Sequence, residues 1–398
     1  RPFNLYSDTL YRIELYRTPK YVYLFFDKHH VIFDGMSRGV FIRDVLRAYH
    51  GETIQPEIFS AFDFALYEQE LVGSPRFLEA EQRWDDLFGG ATALTCATSQ
   101  HPSGEDTANV KVRIPADDIN RFCTIHGVTA NSFLEAAFAE TMQRLTHEDM
   151  PLYLTVSNGR DAGAELMNCV GMFVKTLPVV YPSFQKADVE TAELVEAMHS
   201  QLQATYEQDF YPYTRLVERH GLRPGVMFVY QGGLEEGNQQ IDGADQIALT
   251  LDTTKFPLTV FAYPVDGDYE LTVEYDGQMY SEADMMTVAR TIANIAQQMA
   301  VKHMVSEIKM LDDEERAALI SLSKGDEMDY DQSKTWLDLF EEQVKKAPDA
   351  LAVADTDSQL TYGELDKWSD ELATWLQNQQ VHPDEFVALH MDRTKEFV

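Results

Sequence analysis

Apolar residues are spaced along the chain in two ways, and the two spacings predict a protein built from both strands and helices. Short runs rich in aromatic and β-branched residues predict strands, whereas apolar residues three and four positions apart predict amphipathic helices. The predicted strands lie at residues 10–16, 21–30, 110–114, 151–157, 226–230, 247–251, 258–263 and 269–275. The predicted helices lie at residues 36–50, 62–71, 77–88, 117–126, 132–145, 189–206, 282–300, 312–321 and 336–344.

A nearly all-apolar run in residues 21–37, YVYLFFDKHHVIFDGMS, contains two adjacent histidines. Its length and composition predict a strand that is buried on both faces. Successive side chains of a strand point to opposite faces, so we expect His29 and His30 to point apart. One histidine is then a candidate for chemistry, and the other is a candidate for support.

Each polar residue of this run also has a purely structural interpretation. A single buried histidine is usually a hydrogen-bonded core residue, and a pair of histidines could bind a metal ion. No third His, Cys or carboxylate stands at a zinc-ligand spacing, which disfavours a metal site. Asp34 could simply cap the following helix, and Gly35 could simply supply a positive φ in the turn.

Composition and charge narrow the class of protein. Of the 398 residues, 44% are apolar and 11% are aromatic, which is enough for a large core. The net charge of −34 disfavours nucleic acids and anionic membranes as partners. Cys96, Cys123 and Cys169 are widely spaced and odd in number, as is typical of reduced thiols in the cytoplasm. No apolar run approaches the roughly 20 residues of a membrane-spanning helix.

Two stretches without periodicity predict the domain boundaries. Residues 89–104 are loop-like, and we place a boundary between two lobes there. Residues 323–333, SKGDEMDYDQS, are polar and acidic and predict a linker. We therefore expect one lobe at residues 1–100, a second at 101–322 and a further fragment at 334–398. The chain lacks an initiator Met and stops within an apolar pattern, so we expect it to be part of a longer polypeptide.

The sequence HHVIFDG at residues 29–35 matches the HHxxxDG signature of condensation domains in nonribosomal peptide synthetases, and most of the chain resembles that family. Further matches are RPFNL and LYRIEL before the histidines, VTANSFLEAAFAETMQRLT, and KFPLTVF followed by LTVEYDGQMYS. Arg160 follows a glycine, as in the family, and precedes CVGMFVKTLP, where Lys175 replaces the usual Asn. After the linker, LAVAD and LTYGELDKWSDELATWLQ resemble the opening of an adenylation domain, and Thr361 and Glu364 there predict a capping box.

This resemblance implies a mixed α/β fold of two chloramphenicol-acetyltransferase-like lobes in a V-shaped pseudo-dimer, followed by the N-terminal fragment of an adenylation domain. It implies that an amide bond forms between aminoacyl or peptidyl thioesters, each carried on the phosphopantetheine arm of a carrier domain. No cofactor is bound by the domain itself. We expect the first portion of the family's domain, which precedes this point in its members, to be missing from this sequence. The adenylation-like tail stops before that family's phosphate-binding loop and catalytic lysine.

The resemblance also implies roles for individual residues. His30 lies at the middle of the tunnel where the two arms meet, and it orients the amine or accepts its proton, while His29 supports the loop. Asp34 is held by the cation of Arg160, with an exposed Arg160 as the alternative. The amide of Gly35 faces the oxyanion that develops on the thioester. Met36 stands where Trp is frequent in the family.

Other functions are compatible with parts of the sequence. An epimerisation domain shares HHxxxDG but normally ends a module, and the adenylation-like tail argues against it. A non-catalytic recruiting module keeps the fold but usually loses a signature residue, and a free-standing small-molecule acyltransferase lacks the tail. Heterocyclisation domains replace the histidines with aspartates. The expected partners are an upstream donor carrier domain, a downstream acceptor carrier domain and the adjacent adenylation domain of the same chain.

Overall fold

A computed structural model of the chain describes residues 2–160, 163–181, 189–232, 254–325, 328–356, 358–392 and 394–398. The chain divides into two compact units, Arg1–Ala318 and Leu319–Val398. Strands and helices occur in both units, so the predicted mixed α/β class is confirmed. Across the described part of the chain, no helix combines the length and the apolar character needed to cross a membrane.

The first two strands form a hairpin. Strands β1 (Tyr11–Arg17) and β2 (Val22–Lys28) pair antiparallel. The expectation that β2 is buried on both faces is wrong, because Val22 is 65% exposed and no third strand pairs with the hairpin among the described residues. Only the second half of β2 is half-buried, and there Phe26 stacks on Phe41 with ring centroids 4.1 Å apart.

A seven-stranded mixed sheet forms the centre of the first unit. Its strands are β3 (Thr92–Ala93), β4 (Ala108–Ile114), β5 (Pro151–Ser157), β6 (Lys175–Val180), β7 (Val226–Tyr230), β8 (Leu258–Val265) and β9 (Asp268–Tyr275). The order is β3-β5-β7-β8-β9-β4, and β6 pairs antiparallel with β5. Strand β3 lies within the predicted loop 89–104, so that prediction is wrong there, since two residues are too few to show a periodicity. The predicted strand 247–251 lies outside the described residues.

The first unit contains the helices α1 (Gly35–Tyr49), α2 (Ala61–Leu71), α3 (Pro75–Phe88), α4 (Asp117–His126), α5 (Ala130–Thr146), α6 (Thr191–Tyr206), α7 (Tyr213–His220) and α8 (Glu282–Met299). Helix α9 (Asp313–Ser323) includes the residues at which the two units divide. Helices α5, α6 and α8 share the main apolar core with the sheet. Ala136, Ala137 and Ala139 of α5 are fully buried, as is Phe133 of the same helix. Trp84 of α3 is buried in a second apolar cluster.

Local turn chemistry explains how β8 and β9 are joined. Asp266 and Gly267 form a two-residue loop and have φ angles of 52° and 87°. Two successive positive φ angles are typical of the type I′ turn, which matches the twist of a hairpin. Strands β8 and β9 pair antiparallel on either side of this turn.

The second unit contains α10 (Trp336–Lys346), β10 (Leu351–Ala354), β11 (Gln359–Thr361) and α11 (Tyr362–Asn378). The capping box of Thr361 and Glu364 at the start of α11 is confirmed. The division between the units falls after Ala318, within α9, whereas the predicted linker begins at residue 323. The lobe boundary predicted near residue 100 stays a prediction.

Candidate active site

The two histidines lie in a tight turn and not in strand β2. The strand ends at Lys28, and His29 caps a 3-10 turn formed by His30–Ile32. The Nδ1 atom of His29 accepts a hydrogen bond from the backbone amide of Val31 at 3.1 Å. His30 is exposed, whereas His29 is half-buried. The strand alternation expected for the pair is therefore wrong, and the cap of the turn accounts for their different environments.

Asp34 follows this turn and caps helix α1. Its Oδ1 atom lies 2.8 Å from both the backbone amide and the hydroxyl oxygen of Ser37, which donate to it. Its Oδ2 atom accepts a hydrogen bond from the amide of Phe173 at 3.0 Å. The carboxylate is fully buried, so its charge has to be balanced by a nearby cation.

Arg160 supplies that cation from a loop distant in sequence. Its Nη2 atom lies 2.9 Å from Oδ1 of Asp34, and the guanidinium is fully buried. Its Nη1 atom donates to the carbonyl oxygens of Leu166 and Cys169. The alternative of an exposed Arg160 is excluded by this geometry. Gly159 makes the turn possible because its φ is +66° and a Cβ there would lie 1.9 Å from the carbonyl oxygen of Phe173.

Sequence reasoning missed Ser37 and Gly171, which complete this buried network. The Ser37 hydroxyl accepts hydrogen bonds from the amide of Gly171 and from Nη2 of Arg160, both at 3.0 Å. The carbonyl oxygen of Gly171 accepts from the amide of Asp34 at 3.0 Å. A capping aspartate followed three residues later by a serine was the available signal for Ser37. No local signal pointed to Gly171, because it lies 134 residues from Ser37.

The buried network leaves His30 and Gly35 exposed, on either side of Asp34 in the sequence. Gly35 is the first residue of α1, has no positive φ and is exposed. The amides of a first helical turn have no partner within the helix and carry partial positive charge, so they favour a developing anion. Asp34 has both oxygens engaged and is not placed to take a proton from a substrate. The imidazole of His30 is the accessible basic group of this segment. Met36 is half-buried.

Lys175, the departure from the usual Asn, is not a solvated strand residue. Its side chain is 23% exposed, and its ammonium group forms an ion pair with Glu68.

The described residues contain no cluster of metal ligands, and burial keeps two of the three cysteine thiols protonated. Among the described residues, no group of three or more His, Cys, Asp or Glu side chains gathers in a way that could hold a metal ion. Burial raises the pKa of Cys96 to about 12 and that of Cys123 to about 11. These thiols therefore stay protonated near neutral pH and are poor nucleophiles.

The fold and this site agree with the comparison to protein families. Residues 1–320 match the family model of the condensation domain, and residues 340–398 match that of AMP-binding enzymes. The chain belongs to the condensation-domain family and continues into the start of an AMP-binding domain.

Relatives and solved structures support the same assignment. The chain is 25% identical to bacitracin synthase 3 of Bacillus licheniformis over 419 residues and 28% identical to tyrocidine synthase 3 of Brevibacillus parabrevis over 421 residues. Each match covers 100% of this chain but 6% of the relative, so the chain spans a small part of these synthases.

Two solved structures share the fold at low sequence identity. A four-domain nonribosomal peptide synthetase bound to AMP and glycine superposes with a TM-score of 0.71 and 16% identity, covering 96% of this chain and 31% of that chain. The X-domain from teicoplanin biosynthesis superposes with a TM-score of 0.66 and 17% identity, covering 78% of this chain and 77% of that chain.

Proposed function

We propose that this chain is part of an enzyme that forms peptide bonds between two carrier-bound thioesters in the cytoplasm. The observation that carries the proposal is the exposed imidazole of His30 beside a turn that is fixed by the buried pair of Asp34 and Arg160. The donor is an aminoacyl or peptidyl thioester on an upstream carrier domain, and the acceptor is an aminoacyl thioester on a downstream carrier. Both are attached through phosphopantetheine, which belongs to the carriers.

The reaction exchanges a thioester for an amide. The acceptor amine attacks the donor carbonyl carbon, a C–N bond forms and the donor C–S bond breaks. The amine nitrogen loses a proton and the carrier thiol leaves as the protonated thiol. His30 orients the amine and accepts its proton, a contribution typically worth about 10² to 10⁴ in rate. Holding two tethered reactants in position lowers the activation barrier by up to roughly 7–11 kcal/mol.

Two further features serve the transition state. Gly35, the exposed first residue of α1, lies five residues after His30, and its amide faces the negative charge that develops on the donor carbonyl oxygen. The buried pair of Asp34 and Arg160 fixes the backbone between Ile32 and Ser37. The turn therefore does not have to reorder during the reaction to place His30 and the amide of Gly35.

The fold alone does not separate this function from its alternatives, because the X-domain shares it. Retention of every signature residue argues against a recruiting module that has lost its chemistry. The AMP-binding match at residues 340–398 argues against an epimerisation domain, which would end a module.

The test uses the complete protein with donor and acceptor carriers loaded with simple aminoacyl groups. We expect dipeptidyl thioester from the wild type and a loss of about 10² to 10⁴ in rate for His30→Ala. His101→Ala, at another exposed histidine, serves as the matched control and should keep the wild-type rate. Dipeptide formation at an undiminished rate by His30→Ala contradicts the proposal, as does a wild type that only inverts the donor stereocentre.

A further inference from the structure

Helix α2 lies against the segment that receives the histidine turn. Its residues Ala61, Phe64 and Glu68 are three and four positions apart and so share one face of the helix. The first contact is close, because a Cβ atom at Gly171 would lie 2.6 Å from the Cβ of Ala61. The carbonyl of Gly171 accepts the hydrogen bond from the amide of Asp34. Helix α2 therefore supports the backbone that fixes the end of the turn.

The second contact joins α2 to both members of the buried ion pair. The rings of Phe64 and Phe173 lie with their centroids 5.4 Å apart. The amide of Phe173 donates to Oδ2 of Asp34 at 3.0 Å, and its ring lies 4.3 Å from the guanidinium carbon of Arg160. A displacement of Phe64 is thus passed to the carboxylate and to the guanidinium together.

The third contact is ionic. The Nζ atom of Lys175 lies 2.5 Å from Oε1 of Glu68 and 5.3 Å from the ring centroid of Phe64. Both charged side chains are about one-quarter exposed. Apolar contacts are non-directional and allow a helix to slide, whereas a charged hydrogen bond fixes two atoms at one distance.

We propose that Glu68 and Lys175 are positioning residues for the histidine site. Their ion pair fixes the register of α2 against residues 171–175, and this register sets the position of Asp34 and of His30, four residues before it. The inference rests on the proposed function, because it concerns the same site.

Three changes test the pair in the complete protein. Lys175→Met removes the charge and keeps the chain length, and Glu68→Gln removes the partner's charge. The third variant exchanges the two charges by combining Glu68→Lys with Lys175→Glu. Lys111→Met is the control, because Lys111 forms a more exposed ion pair with Glu270 at 2.9 Å on β4, a strand of the same sheet that lies away from β6 in the strand order.

Dipeptidyl-thioester formation is measured over a range of acceptor-carrier concentrations, at a temperature where circular dichroism shows every variant folded. We expect each single change at Glu68 or Lys175 to lower kcat about tenfold and to leave KM nearly unchanged, because misplacing the reacting groups slows the chemical step. The charge exchange should recover most of the lost kcat. The control should keep the wild-type kcat.

A Lys175→Met enzyme with the same kcat as Lys111→Met overturns the proposal. A charge exchange that is no more active than the single variants also overturns it. His30→Ala separates the two levels of inference. If His30→Ala keeps the wild-type rate, the proposed function fails; if it is inactive while Lys175→Met is unaffected, the positioning role alone fails.

Discussion

The Nη2 atom of Arg160 and the Oδ1 atom of Asp34 lie 2.9 Å apart, and neither side chain is exposed to solvent. The two residues are 126 positions apart in the sequence. Their contact ties the turn that carries the histidines to the loop between β5 and β6. The candidate site therefore depends on a buried ion pair, whereas His30, the candidate reactive group, is exposed.

Breaking this buried pair should destabilise the first unit strongly. Arg160→Ala leaves the Asp34 carboxylate buried without its cation, and we expect the free energy of unfolding to fall by about 3–5 kcal/mol. Denaturant unfolding followed by tryptophan fluorescence measures the change. Arg47→Ala breaks an exposed pair with Glu52 at 2.9 Å and should cost at most about 1 kcal/mol. Equal losses for the two variants would contradict the buried pairing.

Two glycines with positive φ should differ sharply in their response to alanine. A Cβ at Gly267 meets no atom within 4 Å, so Gly267→Ala should cost about 1–2 kcal/mol from backbone strain alone. A Cβ at Gly159 would lie 1.9 Å from the carbonyl oxygen of Phe173, which is backbone and cannot move aside. Gly159→Ala should therefore cost more than about 4 kcal/mol. Similar unfolding midpoints for both variants would show that the backbone next to Arg160 is not packed as described.

Glu135 should make the stability of the first unit fall as pH rises. The side chain is fully buried, and burial raises its pKa to about 8 despite the nearby hydroxyls of Tyr153 and Thr155. In the unfolded chain a glutamate has a pKa of about 4.3. Because the folded state holds the proton more tightly, the stabilising contribution is full below about pH 4 and is lost as pH rises towards 8, by at most about 1.4 kcal/mol per pH unit.

Glu135→Gln removes this pH dependence, so the variant should gain stability relative to the wild type between pH 5.5 and 7.5, by about 2–3 kcal/mol. Denaturant unfolding at the two pH values measures the difference. Glu79→Gln, at an exposed position of α3, should show no such gain. A wild type and a Glu135→Gln variant with parallel pH profiles would show that Glu135 is already ionised in the folded protein.

The capping role of His29 should be separable from the chemistry of His30. The Nδ1 atom of His29 accepts the amide hydrogen of Val31, so His29→Ala should cost about 1 kcal/mol of stability. His29→Asn keeps an acceptor and should cost less. His30→Ala, at an exposed position, should change stability by less than about 0.5 kcal/mol. Thermal unfolding of the three variants checks this order, and a larger loss for His30→Ala than for His29→Ala would reverse the assignment.

The sequence by itself determined the features that depend on neighbouring residues. Helix α4 and strand β5 have the predicted bounds. These features are set by backbone preferences and by the apolar period of one segment, which a linear pattern records. The capping box of Thr361 and Glu364 is of the same kind. The family resemblance indicated the pairing of Asp34 with Arg160, but residue spacing did not.

Only the tertiary structure decided how distant segments meet. Strand β2 reads as a buried strand, yet it is largely exposed because no third strand pairs with the hairpin among the described residues. The histidines leave the strand pattern because His29 caps a turn whose position depends on the hydrogen bond from the amide of Asp34 to the carbonyl oxygen of Gly171. Burial and long-range hydrogen bonds depend on contacts between segments that are distant in sequence. The spacing of apolar residues within one segment does not record those contacts.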